Sequence, residues 1–154
     1  MVSKHFKRGH LSHDQQLQIL NKIGQELLNK APQGWAKIVY ERDSVIDHSS
    51  SDYRVEDEHG ANIADWGPST LNALFRELRP GMYQNGKGTW FSMRYTISRP
   101  GKFHVEYNYD EDPHILFPTA WGYTNDLKYF PRDEEHIPAW LRQKLSEEPR
   151  MQSE

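Results

Sequence analysis

The chain contains no cysteine. This excludes a disulfide framework, a thiolate nucleophile, an iron–sulfur cluster and any zinc site with cysteine ligands, and it fits a reducing compartment. Long apolar runs are also missing. No stretch approaches about 18 apolar residues, so nothing reads as a membrane span. The N-terminal MVSKHFKRGH is basic but has no apolar segment behind it, so no secretory signal is read and a cytoplasmic, soluble protein is expected. There is no large excess of either charge. A net charge of -3 argues against nonspecific attachment to nucleic acid. The signatures G-x-S-x-G and H-E-x-x-H are absent. The one G-x-G, Gly86-Lys87-Gly88, lies between a helix and a strand, the wrong order for a nucleotide fold. Leu, Val and Ile are sparse. Five Trp, eight Tyr and six Phe take their place, so a small core finished by large rings is expected.

A length of 154 residues fits one domain, with residues 1–10 and 148–154 expected to be loose. Leu17, Leu20, Ile23, Leu27 and Ala31 recur at spacings of three and four, which predicts a helix over 13–30. Ser12 and Gln15 form a capping box at its start, and Pro32 and Gly34 stop it. WAKIVYER, residues 35–42, reads as a strand. Ser44 to Asp47 reads as the start of a second, interrupted at Ser49 to Ser51 and resumed over Tyr53 to Glu56. The turn Glu58-His59-Gly60 then leads into Ala61 to Trp66. Gly67-Pro68-Ser69 opens a second helix with Leu71, Leu74, Phe75 and Leu78 on its apolar face, ended by Pro80 and Gly81.

The clearest pattern is a hairpin, GTWFSMRYTIS–RPG–KFHVEYNYD. Phe91, Met93, Tyr95 and Ile97 share one face of its first strand. Phe103, Val105, Tyr107 and Tyr109 share one face of its second. Partners across an antiparallel pair point to the same side, so these two sets must oppose each other. A two-residue loop would mix the faces. A three-residue loop, Arg99-Pro100-Gly101, keeps them pure, with Gly101 at positive φ. That register sets Ile97 against Phe103, Ser92 against Asn108 and Trp90 against Asp110. It also opposes Arg94 to Glu106 as a structural charge pair. Beyond it, three prolines break up a segment with no clear periodicity. Pro138 opens a short terminal helix to about 147, anchored by Trp140, Leu141 and Leu145. The expected fold class is α+β: an antiparallel sheet with helices packed on one face.

Several constellations bear on chemistry. His104, Glu106 and Asp110 share a strand face with alternate residues about 6.5–7 Å apart, a spacing open to a metal-dependent hydrolase or to a plain solvated face. The H-x-E motif of zinc deaminases needs a P-C-x-x-C partner that is absent here. Asp110, Glu111 and Asp112 do not match an EF-hand loop. A glycosidase carboxylate pair, a solvated turn and a negative docking surface all remain open for them. His5, His10 and His13 cluster in the basic arm, which reads as a loose arm in preference to an adventitious metal site. Trp90, Trp121 and Tyr123 are candidates to line a small-molecule or peptide pocket.

NGKGTWFSMRYTISRPGKFHVEYNYDEDP, followed by DLKYFPRDEEHIPAWL, resembles the YezG-type immunity proteins of bacterial polymorphic toxin systems. The likeness spans 12–147 and is specific from Asn85 to Leu141. The chain departs from it in a longer aromatic segment, His114 to Tyr123. The resemblance implies a non-enzymatic antitoxin that binds and blocks a cognate toxin domain, often a nuclease, without a cofactor or metal. It supplies no functional residues. The candidate toxin-binding surface therefore rests on the residues themselves: Tyr109, Asp110, Glu111, Asp112, Trp121 and Tyr123, an acidic aromatic patch suited to a basic partner site.

Overall fold

A computed structural model describes residues 7–115 and 121–152, with side chains described to 148. His5 and residues 116–120 of the aromatic segment lie outside the described residues.

The first helix, α1 (His13–Lys30), has the expected capping box. Ser12 Oγ accepts from Gln15 N at 3.2 Å, and Gln15 Oε1 accepts from Ser12 N at 2.9 Å. Its buried face is rotated from the expected one. Ile19, Ile23, Gly24 and Leu27 are buried, whereas Leu17 is 48% exposed. At about 100° per residue, Leu17 sits at the margin of the stripe centred on Ile23 and Leu27. Gly24 is required by close approach, since a Cβ there would stand 2.4 Å from Tyr95 Oη.

Strands β1 (Lys37–Val45), β2 (His48–Glu56), β3 (Ser92–Ser98) and β4 (Lys102–Asn108) form one antiparallel sheet in the order β2-β1-β3-β4. Two sequence readings are corrected here. Ser44 and Val45 end β1, and Ile46 and Asp47 make the turn, rather than opening a second strand. β2 also runs unbroken through Ser49 to Ser51. The backbone carries the ladder, and these serines lie on an edge strand with all three exposed to water, so their weak strand propensity costs little. Ala61 to Trp66 forms no strand. Only Asn62 makes a bridge, to Glu56, after a turn in which Asp57 Oδ1 accepts from His59 N and Ala61 N.

The hairpin register is as read. Ile97 faces Phe103, Arg94 faces Glu106, Ser92 faces Asn108, and Gly101 takes positive φ. Trp90 and Asp110 lie beyond the ladder, which ends at Ser92 and Asn108. The apolar face is correct, but its far end is open. Phe103 is 44% exposed and stacks on Tyr95 at 5.6 Å. The Arg94 guanidinium turns to Glu41 on β1, also opposite it, at 3.3 Å, while Glu106 takes His104 at 3.1 Å. Arg94 thus sits between two acids and makes its ion pair with the one not foreseen.

α2 (Leu71–Gly81) buries Leu71, Phe75 and Leu78 and carries Pro80 in its last turn. α1 and α2 cover one sheet face, around Ile38, Tyr40, Val55, Trp90, Met93, Tyr95 and Ile97. α3 (Gly122–Tyr129), a 3-10 turn (Glu134–His136) and α4 (Ala139–Gln152) follow. α3 and α4 pack Tyr123 and Leu141 on Val45 and Phe91, where β1 ends and β3 begins. The class is α+β. The other sheet face, with Glu41, Arg94, His104 and Glu106, stays exposed, as an antiparallel sheet allows. Among the described residues no helix is long and apolar enough to cross a membrane.

Parts of the segments expected to be loose are docked. Arg8 Nη1 donates to Tyr129 O at 2.7 Å, with its guanidinium 5.3 Å from the centre of the Tyr83 ring. Gly9 N donates to Pro80 O, and Glu148 is 5% exposed.

Two phenols tie α1 to the sheet. Tyr95 Oη donates to Leu20 O and Tyr53 Oη to Leu27 O, each at 2.9 Å. Burial pushes both groups up from 10.0 to about 12. A raised tyrosine pKa means that folding favours the neutral form, so this stability is complete below pH 10 and is lost as pH rises towards about 12. The melting temperature is expected to fall across that window with phenolate absorbance rising in step. A flat profile to pH 12 would remove both phenols from the account.

Candidate partner-binding surface

β4 delivers the chain into the acidic turn at Asp110, and Arg132 receives it. Arg132 is 9% exposed and sits between the two core clusters. Its Nη2 donates to Tyr109 O at 2.6 Å and to Thr89 O at 3.2 Å. Its Nη1 donates to His136 O at 3.0 Å and to Asp110 Oδ1 at 3.3 Å. The guanidinium also stands 5.0 Å from the Phe91 ring centre. Burial lowers its pKa while Asp110 opposes the shift. Bridges from Gly86 and Lys87 to Arg132 hold the Pro131-Arg132-Asp133 segment in place, as does Tyr83 Oη donating to Pro131 O at 2.5 Å.

The sequence-predicted residues divide on this frame. The Asp110 carboxylate remains 74% exposed while touching Arg132, and its carbonyl accepts from Trp140 Nε1 at 2.7 Å. Glu111 is exposed, and its backbone is gripped by the Asn108 amide, which accepts from Glu111 N at 2.8 Å and donates to Glu111 O at 2.9 Å. Asp112 Oδ1 accepts from His114 N at 2.9 Å and thereby holds His114 at φ 52. Tyr109 is half-buried. Burial raises its phenol, and Gln84, Arg132 and Arg79 pull it back. Trp121 is half-buried at the start of α3. Tyr123 is inside, 4% exposed, with Phe91 and Trp140 edge-on at 5.8 and 5.6 Å. Its ring is enclosed there and does not face water.

Two sequence-level alternatives lose their geometry. Among the described residues no three His, Asp or Glu side chains gather as a metal site. His104 and Glu106 do meet, but Asp110 lies past the ladder and turns to Arg132. Trp90, at 0% exposure, belongs to one core cluster and Tyr123 to the other, so they do not line a pocket with Trp121.

The exit follows directly on the uncovered sheet face through Asn108. Glu41, Asp43, Arg94, Glu106 and Asn108 line a shallow groove of about 210 Å³, and Asn108 holds Glu111 at its end. Among the described residues three carboxylates, Glu41, Asp43 and Glu106, and one cation, Arg94, line this groove.

Sequence reasoning missed the buried charges behind this surface. Arg79 Nη1 and Nη2 donate to Asp126 Oδ1 and Oδ2 at 2.7 and 2.9 Å, and Nε donates to Trp90 O at 2.8 Å. A signal was present, because Arg79 lies four residues after Phe75 and eight after Leu71, on the same helix face. Arg42 similarly shares the parity of Ile38 and Tyr40 on β1. Arg132 left no periodic trace.

Residues 62–136 match a family model described as Immunity protein YezG-like. This span contains α2, the hairpin, the acidic exit, and both the Arg79–Asp126 and Arg132–Asp110 pairs. The chain is also 28% identical to Immunity protein YezG of Bacillus subtilis (strain 168), over 73% of this chain and 88% of that protein. The chain is therefore similar to the YezG-like immunity proteins.

Proposed function

We propose that the protein is an immunity protein: an antitoxin that acts in the bacterial cytoplasm and neutralises a cognate toxin domain, a nuclease, by covering its active site. The similarity to YezG-like proteins supports the immunity role. The observation that supports the mode of binding is the set of carboxylates Glu41, Asp43 and Glu106 on the uncovered sheet face, with the exposed Asp110 and Glu111 following where β4 ends. A nuclease site is basic because it must hold phosphates, so such a set steers and orients the encounter. Tyr109 and Trp121, half-buried at the margin, supply aromatic contact of the kind that dominates interface affinity. Blocking by occlusion needs no catalytic step in the immunity protein.

The test is co-purification with the toxin domain encoded beside it, then binding kinetics of the double variant Glu106→Lys/Glu111→Lys. These two side chains are exposed and hold no core contact, whereas reversing Asp110 would place a cation against Arg132. We expect association about ten-fold slower at low salt, with the difference shrinking as salt rises. Unchanged kinetics would remove this face from the interface.

A further inference from the structure

Three arginines are buried among the described residues: Arg42, Arg79 and Arg132. Arg79 and Arg132 each have a carboxylate. Arg42 has none. It is 7% exposed on the core face of β1, with its guanidinium 4.6 Å from the Phe75 ring centre. Of its five N–H donors, Nη1 donates to Tyr40 Oη at 3.3 Å and to Asn72 Oδ1 at 3.2 Å, and Nη2 donates to Ser49 Oγ at 3.0 Å. All three acceptors are neutral, and Nε is buried with no acceptor at all. A charge withdrawn from water without a counter-ion is costly, so a fold that keeps one has left a place for an anion.

Arg42 lines a cleft of about 480 Å³ between the β1–β2 turn and α2, within the range of small-ligand sites. Arg76, exposed on α2 and without an ion pair among the described residues, also lines it. The acid of the cleft, Asp47, accepts from Asn125 Nδ2 at 2.7 Å. We infer that this cleft binds a small ligand through an oxyanion group, a carboxylate or a phosphate, held between Arg42 and Arg76. Guanidinium forks match both groups. The site is separate from the acidic face and does not depend on the immunity reading.

Thermal unfolding of the full chain in inorganic phosphate, in citrate and in sodium chloride at equal ionic strength tests it. We expect a saturable rise in Tm, about 4 °C at ten times the Kd, with phosphate or citrate and not with chloride. The more effective of the two identifies the ligand's oxyanion. Arg76→Ala, at an exposed position, should leave the Tm in chloride unchanged and raise the midpoint concentration about ten-fold. Arg42→Lys, which keeps the charge and loses the fork, should do the same where it folds. Equal behaviour of all three salts, or an unchanged midpoint in Arg76→Ala, overturns the inference.

Discussion

Replacing Asp126 with Ala is expected to destabilise the protein by about 3–5 kcal/mol, because it strips the counter-ion from a cation sealed in the core. The Arg79 and Asp126 side chains are 5% and 3% exposed and meet through two parallel hydrogen bonds. Arg79 is further enclosed by Trp90, Phe91 and Phe130, with ring centres 5.0 to 5.9 Å from its guanidinium carbon. Water cannot replace the lost carboxylate there. Against a total stability of about 5–15 kcal/mol, this is a large share, and Tm should fall by about 10 °C or more. Urea unfolding followed by circular dichroism measures it. The double variant Arg79→Met/Asp126→Leu should recover most of the loss, since it removes both charges and leaves apolar groups that the surrounding rings accept. If Asp126→Ala shifted the midpoint only slightly, the pair would not be holding α2 to α3.

The second large effect is expected at Arg132. Arg132→Met leaves three carbonyls, those of Thr89, Tyr109 and His136, without the donor that satisfies them. An unsatisfied buried acceptor costs about 1–3 kcal/mol. With partial access of water at the exit, a loss of about 3 kcal/mol is expected, seen as a Tm lower by roughly 10 °C. Arg132→Lys should recover little, because one ammonium cannot reach carbonyls that the planar fork reaches together. Under the proposed function, the same variants should also weaken binding of the toxin domain beyond what one surface charge does, because Arg132 holds the backbone where β4 leaves the sheet. Normal stability in Arg132→Lys would mean that charge alone, and not the fork, organises the exit.

The legible parts of this fold are those fixed by local chemistry. Ser12 and Gln15 cap α1 because each satisfies the other's backbone N–H within four residues. The β3–β4 register follows from parity: only the three-residue loop keeps Phe103 opposite Ile97. The parity of Arg42 and the helical phase of Arg79 were also visible. Their burial was not, because it depends on Phe75, Asn72 and Asp126 arriving from other elements. The serines of β2 concealed a continuous strand, since an edge strand needs only one partner and side chains at its exposed positions need no core.

α3 shows where local reading stops. Its sequence has no N-cap of its own. The cap is the Glu148 carboxylate of α4, which accepts from Tyr123 N at 2.9 Å and from Thr124 N at 2.7 Å, 24 to 25 residues away in the chain. The acidic exit belongs with it. The sequence by itself determined that a strand of aromatic residues would end in Asp110-Glu111-Asp112. Only the tertiary structure decided what those residues do. It brought Arg132 from 22 residues beyond to seize the backbone at Tyr109 and touch Asp110, buried Tyr123, and left the Asp110 and Glu111 side chains facing water. The reason is physical. Side-chain periodicity reports which way a residue points, whereas the partner of a buried charge or an orphan backbone group is set by whichever element packs against it.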